Sequence, residues 1–433
     1  MQQMMDRRFH LRGNKTTAKK EIVAGTVSFF TIVYIIAVNS SILAEAGIPI
    51  EAGMIATILT AFTGCVLMGL SANAPIVLVP GMGINALFSY TLVQGMGLTW
   101  QEALAAVVLS GLLFGVVAFT SLSALITRAI PQSLKEAITV GIGLFLAFIG
   151  LQKGGIVVSS ATTFVALGDF GSAPVLLTLA SLILTLVLFV KNVPGHFLVG
   201  IFFGTALAAL FGQLDLARMG GTDLSFSGYA AVFGAMSFDK VTSVVFWVAT
   251  FSMALVVVFE NIGLIGGQLR MVGKPEAFDR ALRTNALSVI ACGVFGTSPT
   301  VATVESAAGI TAGGRTGLTA VTTGLLFLFS LFFIPFLTVI PDSAIAPVLI
   351  IIGGLMIQSV QNINLQDFSE GFPAFLIIAL IPLTYSIVDG IAFGFIAYPL
   401  LKLALGRAKE VGLPLYIIAA LFVLNFVLHA IGA

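Results

Sequence analysis

Apolar runs long enough to cross a bilayer follow one another along almost the whole chain, at 22–46, 53–70, 76–93, 100–126, 134–152, 173–191 and 195–213. A polar stretch at 214–240 interrupts them, and a second set follows at 242–268, 282–297, 299–314, 316–339, 343–361, 371–388 and 389–406. A helix needs about 20 apolar residues to cover a hydrocarbon core of ~30 Å. The pattern predicts an all-α polytopic membrane protein of fourteen spans, with one more apolar segment at 413–431 left over. Its parts are an N-terminal tail (1–21), a first seven-span repeat (22–213), an external loop (214–240), a second seven-span repeat (241–406) and a C-terminal apolar segment (407–433).

Two of these runs cannot be continuous helices. Pro299 and the β-branched Thr300, Val301, Thr303 and Val304 favour extended backbone, whereas the small, alanine-rich stretch from Glu305 to Ile310 favours a helix. Five extended residues and nine helical ones cover about 30 Å together. The span therefore reads as a short strand followed by a half-helix, with Glu305 at the junction near the midplane. Ile76–Pro80 followed by GMGINALFSYTLV repeats the arrangement in the first half, its half-helix starting near Gly83. Gly69–Pro75 leads into this stretch much as Gly293–Pro299 leads into the other.

Seven spans per half place the two halves in opposite orientations, so the repeat is inverted. The two short strands run oppositely and can pair, which satisfies backbone groups that lipid would leave bare.

Composition agrees with the pattern. Of 433 residues 58% are hydrophobic and 9% charged, mean hydropathy is +1.10 and the net charge is only +1, which leaves little soluble mass. Cys65 and Cys292 both fall in apolar runs and read as packing residues rather than as a disulfide. The polar, basic N-terminus lacks the features of a signal peptide and reads as a cytoplasmic tail.

Charge tests the threading independently, because Lys and Arg favour the cytoplasmic side. With the N-terminus inside, only Lys153, Arg218 and Lys240 of the 20 basic residues fall outside. Arg128 is among those inside. The bias survives only if 76–93 and 299–314 cross fully.

Among the acidic residues, Glu260 and Glu305 alone lie deep within apolar runs, and no Lys, Arg or His stands at comparable depth. A mid-membrane acid costs about 2.5 to 3.5 kcal/mol on insertion scales, so it faces a cavity or a partner. Two such acids suit a proton-coupled carrier better than packing alone. Asn39 occupies a place in the first span comparable to that of Glu260 in the eighth. Asn39 and Asn85 have interhelical bonding as an equal reading.

Phe30, Tyr34, Phe88 and Phe259 are near enough to sandwich a flat ligand. His196 and His429 read as interfacial, and Asp389 as water-facing near the outer surface. No metal-ligand spacing and no cofactor motif stands up. GMGINA (81–86) matches a dinucleotide fingerprint, with Glu102 about 20 residues on, but the βαβ context that the motif requires is missing.

TIVYIIAVNSSIL, VPGMGINALFSY, VESAAGITAGGRTGLTAVTTGLLF and FPAFLIIALIPLTYSIVDGIAFGFIAY together resemble the nucleobase:cation symporter-2 family. Within it they resemble the azaguanine-resistance branch of guanine, hypoxanthine and adenine permeases. The resemblance implies a core of spans 1–4 and 8–11, a gate of spans 5–7 and 12–14, substrate between the two, and a homodimer.

It also implies substrate-binding acids on spans 8 and 10, which map onto Glu260 and Glu305. A polar residue on span 1 maps onto Asn39, and the start of the third-span helix, Gly83 to Phe88 with Asn85, supplies donors and an aromatic wall. Where the branch carries an aspartate and a D-x-x-G-T pattern, this chain has Glu260-Asn261-Ile262-Gly263.

The expectation is a proton-coupled importer of a purine base in the cell membrane, with no cofactor and no nucleic-acid partner. Guanine or hypoxanthine comes first as substrate and adenine next. Glu260 would anchor substrate, and Glu305 would couple the proton and touch substrate. The alternatives are a sulfate- or bicarbonate-type anion carrier on the same architecture and a uracil- or xanthine-type symporter. An intramembrane aspartyl protease would need two aspartates at depth.

Overall fold

A computed structural model of the chain describes residues 2–120, 122, 129–214 and 226–430. Arg128 and Arg218, each placed on a side by the charge argument, lie outside the described residues. The apolar runs become helices. Span 1 is Ala18–Ala44, broken at Val33 and Tyr34; span 2 is Ile50–Ala72; and span 4 is Trp100–Phe119. Spans 5 to 7 are Gln132–Lys153, Ala173–Val190 and His196–Leu210, and spans 8 and 9 are Val244–Met271 and Phe278–Phe295. Spans 11 to 14 are Gly317–Leu337, Asp342–Asn362, Phe368–Thr384 and Ile387–Ala404, and a further helix covers Leu413–Ala430.

Spans 3 and 10 are the broken ones. Span 3 is strand β1 (Leu78–Pro80), a helical turn Met82–Ala86 and a wider π-helical stretch Leu87–Gly95. Span 10 is strand β4 (Thr300–Ala302) and a six-residue helix Ser306–Thr311. The strands pair antiparallel, with Leu78 opposite Ala302, Val79 opposite Val301 and Pro80 opposite Thr300. Pro80 lacks an N–H, yet the ladder continues past it through a bond from Gly81 N to Pro299 O at 3.1 Å. Strands β2 (Val157–Ser160) and β3 (Phe164–Leu167) form a separate hairpin between spans 5 and 6.

The packing is a two-fold pattern. Span 1 packs on span 11 as span 8 packs on span 4, and span 2 on span 11 as span 9 on span 4. In the other group, span 5 packs on span 13 as span 12 packs on span 6. Spans 1–4 and 8–11 thus form one group, the core, and spans 5–7 and 12–14 the other, the gate. The cysteines follow the same symmetry. Cys65 of span 2 donates to Leu78 O of β1 at 3.5 Å, and Cys292 of span 9 accepts from Thr300 N of β4 at 3.3 Å. Each is a small buried side chain behind the strand of its own half.

Contacts between span ends sort into two faces, as alternating full crossings require. On the N-terminal face Asn73, after span 2, takes a bond from Gly317 N at the start of span 11. On the opposite face Lys153, ending span 5, meets Glu45, ending span 1. The tail is more ordered than a tail needs to be. Residues Gln2–Phe9 form a helix, Phe9 and Leu11 are buried against Leu318, and Arg8 donates to Leu70 O.

Candidate functional site

Glu305 is the N-cap of the short helix of span 10, where the extended chain turns helical. Its Oε1 accepts the Tyr34 hydroxyl at 2.5 Å. Tyr34 is buried at the break in span 1, where the helix ending at Ile32 restarts at Ile35, and its ring sits edge-on to Phe197 of span 7. One hydrogen bond and one ring contact therefore join two core breaks to the gate.

Span 8 packs against the helical parts of both broken spans. Glu260 stands partly exposed on it, beside the buried face that carries Val257, Asn261, Ile265 and Gln268. Gly263 and Gly267, one and two turns on, border open space in which a Cβ would meet nothing within 4 Å. Val304, next to Glu305, is 69% exposed. Glu260 thus lies on an uncovered side of span 8, and Glu305 follows an exposed residue. Neither acid is in an ion pair among the described residues.

The opposite face is closed between core and gate. Lys153 of span 5 bridges Glu45 at 2.7 Å and Asp342 of span 12 at 3.2 Å, and Ser41 of span 1 donates to Asp342 at 3.3 Å. Ile387 N of span 14 donates to Thr91 Oγ1 at 3.1 Å, and Tyr385 packs on Tyr90 while its hydroxyl bonds Gln152. On the N-terminal face, ties within a single group are seen among the described residues. Glu21 accepts from Arg315 N, Thr316 N and Thr319 Oγ1 within the core. Within the gate, Lys402 is fully buried among Asp367, Glu370 and Glu410, and Ser133 donates to Glu370 at 2.6 Å.

The other sequence candidates divide. Asn39 is buried with all four of its bonding positions used: its Nδ2 donates to Thr57 and Thr297, and its Oδ1 accepts from Asn85 and Ser298. Asn85 is buried beside it with its own Oδ1 unpartnered. Phe88 is buried completely, and Gly83 lies tight against span 5, where a Cβ would stand 2.6 Å from Ile142 Cγ2. The backbone N–H groups of Met82, Gly83 and Ile84 precede the first bond of their turn, from Asn85 N to Gly81 O. In span 10 the equivalent donors are engaged, Ser306 N to Thr303 O, Ala307 N to Val304 O and Ala308 N to Glu305 O.

Of the flanking aromatics, Phe30 is half exposed and Phe259 partly buried. His196 packs between Phe189 and Phe197, Asp389 sits in the first turn of span 14, and the His429 side chain lies outside what is described.

The sequence singled out Asn39 and Asn85 among the neutral polar residues but not those of span 8. Asn261 accepts Ala302 N at 3.0 Å and also bonds Asn285, and Gln268 Nε2 donates to Thr303 O at 2.6 Å. Span 8 thus grips the broken backbone of span 10 from both sides of one peptide. The seven-residue spacing of Asn261 and Gln268 on one helix face was the available signal.

Comparison with known proteins bears on the chemistry. A model described as the Permease family matches residues 19–428. The chain is 55% identical to the nucleobase transporter PlAzg2 of Paenibacillus larvae subsp. larvae, over 88% of this chain and 77% of that protein. It is 42% identical to the guanine/hypoxanthine permease PbuO of Bacillus subtilis, over 97% of this chain and all of that one. Among solved structures, the transmembrane domain of a cyanobacterial bicarbonate transporter, BicA, superposes with a TM-score of 0.66 at 16% identity, covering 86% and 97% of the two chains. That likeness is one of fold.

Proposed function

The chain belongs to this permease family of integral membrane transporters, and from that premise we propose that it imports a purine nucleobase by proton-coupled alternating access. Guanine and hypoxanthine are the leading substrates, with adenine next. What supports the reading is the chemistry of the two breaks and of the helix packed on both: unused backbone donors at the start of the span 3 helix, the Glu305 carboxylate at the span 10 break, and Glu260 on span 8. A purine carries ring N–H groups for the acids and a ring carbonyl or nitrogen for the donors.

In this reading Glu260, partly exposed on span 8, anchors the base. Glu305 takes the proton and touches the base, which competes with the Tyr34 hydroxyl for its carboxylate. Gly83 and Asn85 shape the donor end, and Asn39 positions Asn85. With the N-terminus in the cytoplasm, the face latched by Lys153, Glu45 and Asp342 is the outer one. Loading from outside requires that latch to part and the gate to move against the core. A proton entering across 100 mV contributes about 2.3 kcal/mol, enough for roughly 50-fold accumulation. An anion would meet two unpaired carboxylates instead, which disfavours that use of the fold.

The test is uptake of radiolabelled guanine, hypoxanthine, adenine, xanthine and uracil into proteoliposomes, with and without an inward proton gradient. Gradient-driven uptake of one or two purines that collapses in Glu305→Gln is the expected result. Accumulation of no base by folded protein would sink the reading.

A further inference from the structure

Tyr34 Oη donates to Glu305 Oε1 at 2.5 Å, the only hydrogen bond of that hydroxyl among the described residues. The tyrosine is 2% exposed, and its ring is held edge-on by Phe197 with centroids 5.0 Å apart, Phe197 being packed in turn on His196. A ring so held keeps Oη in place, while the hydroxyl proton still turns about the C–O bond. Glu305 is partly exposed, so the bond does not seal its carboxyl group.

A phenol has one proton and accepts as well as donates, an ionised carboxylate only accepts, and a protonated carboxyl has one proton to give. With Glu305 ionised, the phenolic proton points at it. With Glu305 protonated, the acid proton takes over the same bond and points at Oη, and the phenolic proton is released to another acceptor.

We propose that Tyr34 reads the protonation of Glu305 and passes it to the base: its hydroxyl is spent on the acid when ionised and is offered to the purine when the acid is protonated. The inference rests on the proton-coupled reading above. A purine that donates an N–H to the carbonyl oxygen of protonated Glu305 brings its neighbouring ring carbonyl or ring nitrogen toward Oη, and Tyr34 donates there. The O–H of Glu305 is the one covalent bond that forms or breaks in this cycle. Proton and base then tighten one another by the same factor, and Tyr34 is the positioning residue that links them.

Other charged groups on the packed spans are occupied or stand apart. Glu21 of span 1 accepts from Arg315 N, Thr316 N and Thr319, and the Arg315 guanidinium is held by Ile310 O and Gly314 O. His196 of span 7 has Nδ1 3.0 Å from Val193 O, and Glu260 and Arg270 stand on span 8. Among the described residues none of these is ion-paired with Glu305.

Tyr34→Phe keeps the ring against Phe197 and loses only the hydroxyl, whereas Phe197→Leu loosens the ring and keeps the hydroxyl. Purified, monodisperse protein is titrated with radiolabelled hypoxanthine at about pH 6, 7 and 8. In proteoliposomes it is assayed for uptake under an inward proton gradient and for exchange with base on both sides and no gradient. Expected in the unaltered protein and in Phe197→Leu is an affinity about tenfold higher at the acid end, and in Tyr34→Phe a difference below about twofold. Gradient-driven uptake by Tyr34→Phe should fall about tenfold while exchange stays within about threefold.

An unchanged pH dependence in Tyr34→Phe overturns the proposal. So does an equal loss of affinity at every pH, which marks a plain contact, and so does gradient-driven uptake by the unaltered protein without pH-dependent affinity. If the unaltered protein exchanges base but ignores both pH and gradient, the proton-coupled reading fails and the proposal with it, whereas an unchanged pH dependence in Tyr34→Phe leaves that reading standing.

Discussion

The two broken spans share a plan and differ in chemistry. Span 3 turns from strand to helix at Gly81, continues helically to Gly95, and leaves the N–H groups of Met82, Gly83 and Ile84 free. Span 10 turns at Glu305, stays helical for only six residues, and spends its first N–H groups on Thr303, Val304 and Glu305 carbonyls. One break offers donors and the other an acceptor. Duplicating a scaffold supplies two helix ends at the midplane, and the residue at each turn decides what that end can bind.

The largest expected effect removes the acidic member of the pair. With Glu305→Gln both breaks become neutral, and hypoxanthine accumulation under 100 mV should fall from about 50-fold to equilibration, read as the internal-to-external ratio in proteoliposomes. Next comes the bonding that holds each break to its neighbours. Asn39→Leu strands the Asn85 amide and three hydroxyls, and should lower stability by about 2 kcal/mol, read as a fall in melting temperature in detergent. A comparable loss in Asn261→Leu, which strands Ala302 N and Asn285, would make the two spans equals in this respect.

Span 3 also presses on the gate. Gly83→Ala drives a methyl to within 2.6 Å of Ile142 Cγ2. Uptake should fall about tenfold and recover in the Gly83→Ala, Ile142→Ala double variant, as overpacking predicts. A smaller effect follows from cutting a side-chain bond between spans 3 and 10. Ser306→Ala removes the acceptor for Val77 N at 3.0 Å and should cost about 1 kcal/mol of thermal stability.

The smallest effect is a control that touches neither break. In the loops of the gate, the Ser369 hydroxyl and the Arg407 guanidinium hold Asp367 well below the usual carboxylate range, and Arg407 with Lys402 lowers Glu410. Depressed carboxylates stabilise the fold above their ordinary titration range, near pH 4, and that contribution is lost as pH falls through the lowered values. The melting temperature should therefore hold from pH 7 to 5 and decline below about 4, less steeply in Arg407→Gln.

The broken spans, their strand pairing and the inverted order were legible because Pro299, Pro80 and the β-branched runs leave the backbone little choice, and because charge counts the crossings. Glu260 and Glu305 were legible because an acid at depth has no ordinary excuse. What Asn39 bonds was not, since a buried amide offers the same four valences to a ligand as to its neighbours. Tyr34 looked like one more aromatic, and its bond to Glu305 spans 271 positions of sequence. Gln268 and Thr303 were hidden by ordinariness, because neutral polar side chains inside membrane helices are common and their partners are fixed only by the three-dimensional packing. The short helix of span 10 was overestimated at nine residues, as its alanines permit more helix than Gly313 and Gly314 allow.

The strand ladder at the centre has one more property. Read from either end, its register is the same about the pair Val79 and Val301: each strand meets the other as it would meet a rotated copy of itself. That is the geometry of an isologous contact between identical subunits, here made within one chain. A seven-span half that inserted in both orientations would pair with its copy through this edge as well as through its helices. Fusing two such halves frees each turn residue to diverge, and an acid at one seat opposite a glycine at the other is an asymmetry that two identical subunits can never have.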